Sequence, residues 1–224
     1  MKSNSLIAEF VGTFTLVLFG AGTAAVTGSV LAAALAFGFA LMVIVVQFGK
    51  ISGAHVNPAV TLGLLADKKI ERKTAIGYIL FQLAGGAFAG LVLWLVLPPS
   101  FASTYGATTL TSGLQVYQGF VIEMILTFLL VGTIYQAAVN KSGGALTPVI
   151  IGGALTVAIL LGGTLTGGSL NFARTLGPLI SEALAGTLAI GSLIDVAIVY
   201  GAGTLAGGIL ATLVHSKIFK NPEE

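Results

Sequence analysis

Six apolar stretches follow one another along the chain, at 6–26, 30–48, 74–97, 115–138, 148–162 and 192–214. Crossing a hydrocarbon core takes a helix of about 20 residues. Each stretch comes close to that length, and the fifth is expected to extend beyond its apolar run. A cleaved leader is the alternative for 6–26, but its removal would destroy the repeat described below. Two further apolar stretches, 56–66 and about 171–183, are too short to cross. Each carries an asparagine at or next to its start, Asn57 and Asn171. Asparagine is a preferred N-cap, and the proline after Asn57 suits the first helical position. At 1.5 Å per residue such a helix covers about half the bilayer. The pattern therefore predicts an all-α membrane protein of six transmembrane helices plus two re-entrant half-helices.

The chain also matches itself. Glu9-Phe-Val-Gly-Thr13-Phe14 returns 114 residues later as Glu123-Met-Ile-Leu-Thr127-Phe128. At the same offset, Gly53-Ala-His-Val-Asn57-Pro-Ala59-Val-Thr61 returns as Gly167-Gly-Ser-Leu-Asn171-Phe-Ala173-Arg-Thr175. Leu83-Ala-Gly-Gly86 returns as Leu205-Ala-Gly-Gly208 after eight more residues. Three spans per half reverse the direction of the chain, so the halves are inserted upside down in a 3+3 inverted repeat. Such repeats place a functional site at the midplane. The expected organisation is one channel domain over 1–224, with repeat A at about 1–97 and repeat B at about 115–224.

Composition agrees. Of 224 residues, 56% are hydrophobic and 8% charged, which leaves no room for a soluble domain beside the spans. Glycine, at 31 residues, allows close helix contact, with Gly86/Gly90 and Gly203/Gly207 at the right spacing. Cysteine is absent, which excludes disulfides and thiol chemistry. A net charge of +2 gives no reason to expect nucleic acid, and no residue cluster suggests a metal or cofactor. Lys2, Lys50, Lys68, Lys69, Arg72, Lys73, Lys141, Lys217 and Lys220 all fall on one side of a six-span topology. That side is expected to be cytoplasmic, with both termini. Arg174 is the single basic residue on the other side.

The two half-helices would meet N-terminus to N-terminus, each contributing about +0.5 of a charge that repels cations. Asn57 and Asn171 can accept from their own helices and donate amide hydrogens into a pore. The stretches before them, Gly53, Ala54, His55 and Val56, then Gly167, Ser169 and Leu170, are expected to be non-helical, their carbonyls forming a file of acceptors. Irregular backbone survives at that depth where it lines a wet cavity. This arrangement suits water in single file. Glu9 and Glu123 lie inside spans, where a bare charge is costly. His55 is expected in the cytoplasmic vestibule, His215 as an interfacial anchor, and Trp94 and Tyr105 at the outer interface.

At these residues the chain resembles the aquaporin, or major intrinsic protein, family. Ser52-Gly-Ala-His-Val-Asn-Pro-Ala-Val-Thr61, Thr166-Gly-Gly-Ser-Leu-Asn-Phe-Ala-Arg-Thr175-Leu-Gly-Pro178 and Ala8-Glu9-Phe-Val-Gly-Thr13-Phe14 carry the likeness. It implies a homotetramer in a lipid bilayer with one pore per subunit, passing water and small neutral solutes such as glycerol and excluding ions and protons. It also implies that Glu9 and Glu123 brace the re-entrant loops. It makes Phe37, Ile159, Gly168 and Arg174 the selectivity filter. Strict water channels usually carry histidine where Ile159 stands, and isoleucine resembles the archaeal-type arrangement. Glycerol facilitators commonly have aspartate where this chain has Thr175. The departure from the family is Phe172, which replaces the usual proline, exposes an N–H and brings a larger ring. An ion-coupled secondary transporter is the competing class, since it too uses inverted repeats and intramembrane acids. An enzyme ranks last.

Overall fold

The computed structural model describes residues 3–101, 104–188 and 192–219. Lys2 and Lys220 of the charge pattern fall outside them. Six helices are long and apolar enough to cross a membrane: Ser3–Thr27, Val30–Phe48, Arg72–Val96, Val116–Val139, Gly144–Gly162 and Leu193–Lys217. The fifth gains its length at its start, where a 3-10 turn at Gly144–Leu146 leads into the helix. In chain order the α-helices are α1 (Ser3–Thr27), α2 (Val30–Phe48), α3 (Pro58–Ala66), α4 (Arg72–Val96), α5 (Val116–Ile134), α6 (Thr147–Gly162), α7 (Phe172–Ala185), α8 (Ser192–Asp195) and α9 (Thr204–Lys217). Among the described residues there is no strand.

The packing repeats with the sequence. α1 lies on α4 and α5 on α9; the half-helix α3 lies on α9 and α7 on α4. Each half-helix thus leans on the last span of the opposite repeat, while α2 and α6 pack across the pseudo-twofold axis. The glycine pair predicted from the repeat makes the first contact possible. A Cβ on Gly208 would stand 2.5 Å from the carbonyl oxygen of Ala59, and one on Gly86 would overlap that of Ala173. Without side chains between them, backbones approach until van der Waals contact holds them.

Two spans depart from α geometry. α5 ends in a π turn, Tyr135–Val139, and the last span carries a π segment, Val196–Gly203, between α8 and α9. Such bulges frequently mark functional positions. The second one turns Tyr200 inward, 1% exposed, with its hydroxyl donating to the carbonyl of Thr166 at 2.6 Å. The outer surface of the spans is apolar, with Phe19, Val46, Leu80, Ile125 and Leu161 all exposed. The buried polar groups gather inside, at the two re-entrant loops.

Candidate functional site

The loops before the half-helices are held in a conformation that most residues avoid. In the first, φ is positive at Gly53 (92°), Ala54 (50°) and Val56 (43°); in the second, at Gly167 (81°), Gly168 (56°) and Leu170 (55°). The pattern repeats at the sequence offset. Left-handed backbone costs about 1–3 kcal/mol at a residue such as Val56 and persists only where its surroundings over-determine it. Here the surroundings are the two buried acids. Glu9 accepts from the Ser52 hydroxyl at 2.6 Å, the His55 N–H at 3.0 Å, the Val56 N–H at 2.7 Å and the Gln82 amide at 2.7 Å. Glu123 accepts from the Thr166 hydroxyl at 2.6 Å and from the N–H groups of Ser169 and Leu170 at 2.9 and 2.8 Å. Both carboxylates are fully buried. They answer loop donors that a helix or sheet would otherwise satisfy.

Both asparagines are N-caps in extended backbone, at φ −157° and −156°. Each side-chain oxygen accepts from its own helix, Asn57 from the Ala59 N–H and Asn171 from those of Ala173 and Arg174. Each amide nitrogen crosses to the other half. Asn57 Nδ2 donates to the Leu170 carbonyl and Asn171 Nδ2 to the Val56 carbonyl, both at 2.8 Å. One amide hydrogen of each therefore ties the halves together, which leaves one for the lumen. The carbonyls of Val56 and Leu170, expected in the file of acceptors, each hold one of these bonds and keep a second lone pair.

Three cavities that share lining residues adjoin at this centre. A vestibule of about 620 Å³ is lined by Lys50 and Lys141 and by the loop residues Gly53, Ala54 and His55. A central cavity of about 20 Å³ is lined by His55, Val56, Asn57, Ser169, Leu170, Asn171 and Arg174 on one side and by Phe37, Leu41 and Leu155 on the other. A third, of about 160 Å³, is lined by Phe37, Ile159, Gly167 and Arg174. The first two share His55 and Leu41; the last two share Phe37 and Arg174. A water needs about 10–15 Å³ on this measure, so the centre admits one at a time.

Of the expected filter residues, Phe37, Ile159 and Arg174 meet at the third cavity. Gly168 is buried close behind, where a Cβ would stand 3.3 Å from Ile159 Cα. The Arg174 guanidinium carbon lies 4.9 Å from the centre of the Phe37 ring. Its Nη1 donates to the Gly106 carbonyl at 2.8 Å; among the described residues its other donors have no partner. Gly106 is a residue that sequence reasoning missed. It has φ 72°, and a Cβ there would overlap the Ala21 carbonyl, so only glycine lets this connection descend to the arginine. Tyr105, expected at the outer interface, is instead buried, 4% exposed, because the same descent carries it inward. His215 is not a simple anchor either. Its Nδ1 is 2.9 Å from the Gln136 amide, and its ring packs on Phe128, Tyr135 and Phe219. Phe172 packs against the cluster formed by Val196, Val199 and Tyr200. The asparagine beside it keeps the same backbone as its partner. Among the described residues no cluster of His, Cys, Asp or Glu could hold a metal.

Comparisons with known proteins bear on what this path is for. The model of a family described as major intrinsic protein matches residues 1–215. Aquaporin AqpM of Methanothermobacter marburgensis is 38% identical over 239 aligned residues, covering 93% of this chain and 94% of the relative. The glycerol uptake facilitator protein-like 6 of Lactiplantibacillus plantarum is 39% identical over 182, covering 78% and 82%. Among solved structures, the aquaglyceroporin from Plasmodium falciparum superposes with a TM-score of 0.84 at 23% identity, covering 96% of each chain. At that identity it bears on the fold alone.

Proposed function

The chain belongs to the major intrinsic protein family, and from that premise we propose how its residues work. It is a multi-pass membrane protein with the aquaporin fold and a passive channel for water and small solutes. In the proposed mechanism, water crosses in single file through the 20 Å³ centre. There the free amide hydrogens of Asn57 and Asn171 donate to its oxygen. The two half-helix N-termini focus positive potential on the same point, which opposes cations and hydronium. At the outer constriction Arg174 repeats that exclusion. Phe37 and Ile159 face it as an apolar wall along which the carbon chain of glycerol can slide. Thr175 replaces an acid beside the arginine, which favours the water-channel branch with an archaeal-type filter. The observation that carries the proposal is a run of three cavities with shared lining residues, the central one lined by both asparagines.

The whole chain, with repeats at about 1–97 and 115–224, forms one channel domain in this proposal. Both termini lie in the cytoplasm in this proposal, which the one-sided distribution of basic residues supports. The assembly is a homotetramer, as the resemblance implies. Stopped-flow light scattering on purified protein in liposomes tests the mechanism, with sucrose and then glycerol gradients. The expected result is fast water flux and measurable glycerol flux, neither changed by an imposed pH gradient or membrane potential. Saturable uptake that follows such a gradient would instead identify an ion-coupled transporter.

A further inference from the structure

His55 and Ser169 occupy equivalent positions in the two repeats, and each side chain touches the threonine six residues on. In repeat B the hydroxyls form a chain: Thr108 to Thr175 at 3.1 Å, Thr175 to Ser169 at 2.6 Å, and Ser169 to the Asn171 carbonyl at 2.9 Å. Ser169 Oγ also accepts from the Asn171 N–H at 3.3 Å. A hydroxyl has one hydrogen and two lone pairs. All four bonds form together in one polarity, with each hydroxyl donating toward Asn171. Ser169 is then saturated and offers the lumen nothing more.

In repeat A, Thr61 Oγ1 has three neighbours: the Asn57 carbonyl at 3.1 Å, the Gln82 amide at 2.9 Å and His55 Nδ1 at 3.1 Å. The Asn57 carbonyl can only accept, so Thr61 donates to it. Gln82 Nε2 also lies 2.7 Å from the Glu9 carboxylate, which fixes the amide's orientation as a donor. Thr61 therefore accepts from Gln82, and its remaining lone pair faces His55. The three bonds coexist when Nδ1 of the imidazole carries the proton. The ring plane is fixed from the side by Tyr78, edge-on at 5.2 Å. Nε2 has no hydrogen-bond partner among the described residues, and the residue lines both the central cavity and the vestibule.

We propose that His55 determines specificity in the throat, with Thr61 and Gln82 as positioning residues. They hold the neutral ring in the Nδ1–H form, so that bare Nε2 accepts a hydrogen bond from the permeating molecule. This deepens the pore mechanism above and rests on it. A water whose oxygen is held by the asparagine amides turns its hydrogens outward. On this side Nε2 receives one of them. If the ring carried its proton on Nε2, two donors would face each other and the file would be interrupted.

The chain has only two histidines, so ¹⁵N-histidine-labelled protein in liposomes gives a two-residue spectrum. His215→Gln assigns it, or His55→Gln by subtraction. The expected His55 signal is a protonated Nδ1 beside an unprotonated Nε2. A protonated Nε2, in either the neutral ring or the imidazolium, overturns the proposal without touching the pore mechanism, which wild-type flux tests separately. Thr61→Val keeps the side-chain shape and removes the acceptor. It should shift the ring toward Nε2–H and lower water flux per protein about three- to tenfold, the scale of one hydrogen bond. Thr61→Ser should restore both signals. A changed tautomer with unchanged flux would remove His55 from the specificity mechanism.

Discussion

The two mouths of the path are equivalent by sequence offset and unequal in chemistry. In the proposed filter, Phe37, Ile159 and Arg174 line the third cavity, with Gly168 buried close behind. At an offset of 114 their counterparts are Ile151, Val45, Ala54 and Val60, and all four line the vestibule at the other end. The backbone is alike: apart from the 3-10 turn at Gly144–Leu146, α2 and the fifth span correspond from 30–48 to 144–162, and the loops share their positive-φ pattern. Yet one cavity is about 160 Å³ and the other about 620 Å³. The inverted repeat builds a scaffold with two possible filters. Side chains decide which one closes. On the proposed reading, the difference lies in one arginine held by a descending loop and facing one aromatic ring.

Removing the braces should break both mouths and gives the largest effect. Glu9→Leu strands four donors and Glu123→Leu three, each buried donor costing about 1–3 kcal/mol when unpaired. Both variants should lose most water flux and melt earlier in detergent, Glu9→Leu by more. Equal melting would mean that the hydrogen-bond inventories do not set loop stability. Next in size is Arg174→Val, which gives the outer mouth the side chain of its counterpart, Val60. Glycerol flux should rise severalfold, and a pH gradient across the liposome should decay faster, as read by a trapped dye. If the gradient held and glycerol flux stayed the same, the filter would lie elsewhere.

A sharper distinction comes from Ile159→His, which adds a donor and narrows the opening. A polar site rejects a poorly matched solute more strongly than apolar contact does. The ratio of water to glycerol flux should therefore rise about threefold or more, and an unchanged ratio would place Ile159 outside the constriction. The smallest effect is expected at Phe172→Pro, which makes the two motifs alike. Proline suits the first helical position but forfeits the ring's packing against the cluster of Val196, Val199 and Tyr200. Thermal stability should change within about 1 kcal/mol. Water flux should stay at the wild-type level; a large loss would show that the ring itself supports the centre.

The spans, the half-helices and the offset could be read from the chain because apolar length and a repeated motif are local signals. Glu9 and Glu123 could be singled out because an acid inside a span needs a reason. What could not be read are contacts made across long separations. The descent of Tyr105 and Gly106 onto Arg174 depends on a turn whose only trace in sequence is one glycine. An aromatic near a span end reads as an interfacial anchor, whereas Tyr105 is buried. The inward turn of Tyr200 arises from π geometry, which apolar periodicity does not encode. The crossing of Asn57 and Asn171 to opposite carbonyls was equally hidden. A side chain with two amide hydrogens leaves open where the second one goes until the other half is in place.

That crossing has a consequence for how the chain is made. The Val56 carbonyl and the Asn57 amide find their partners 115 and 113 positions away in the chain. During synthesis at about 5–20 residues per second, the first half waits roughly ten seconds for the second. In that interval its re-entrant segment can be braced by Glu9 but not clasped. A ribosome-bound intermediate ending before Leu170 should therefore expose this segment to protease, and protection should arrive abruptly once the second asparagine has emerged. The clasp makes completion of the lumen a late event in biogenesis, because both of its bonds need residues of the second half.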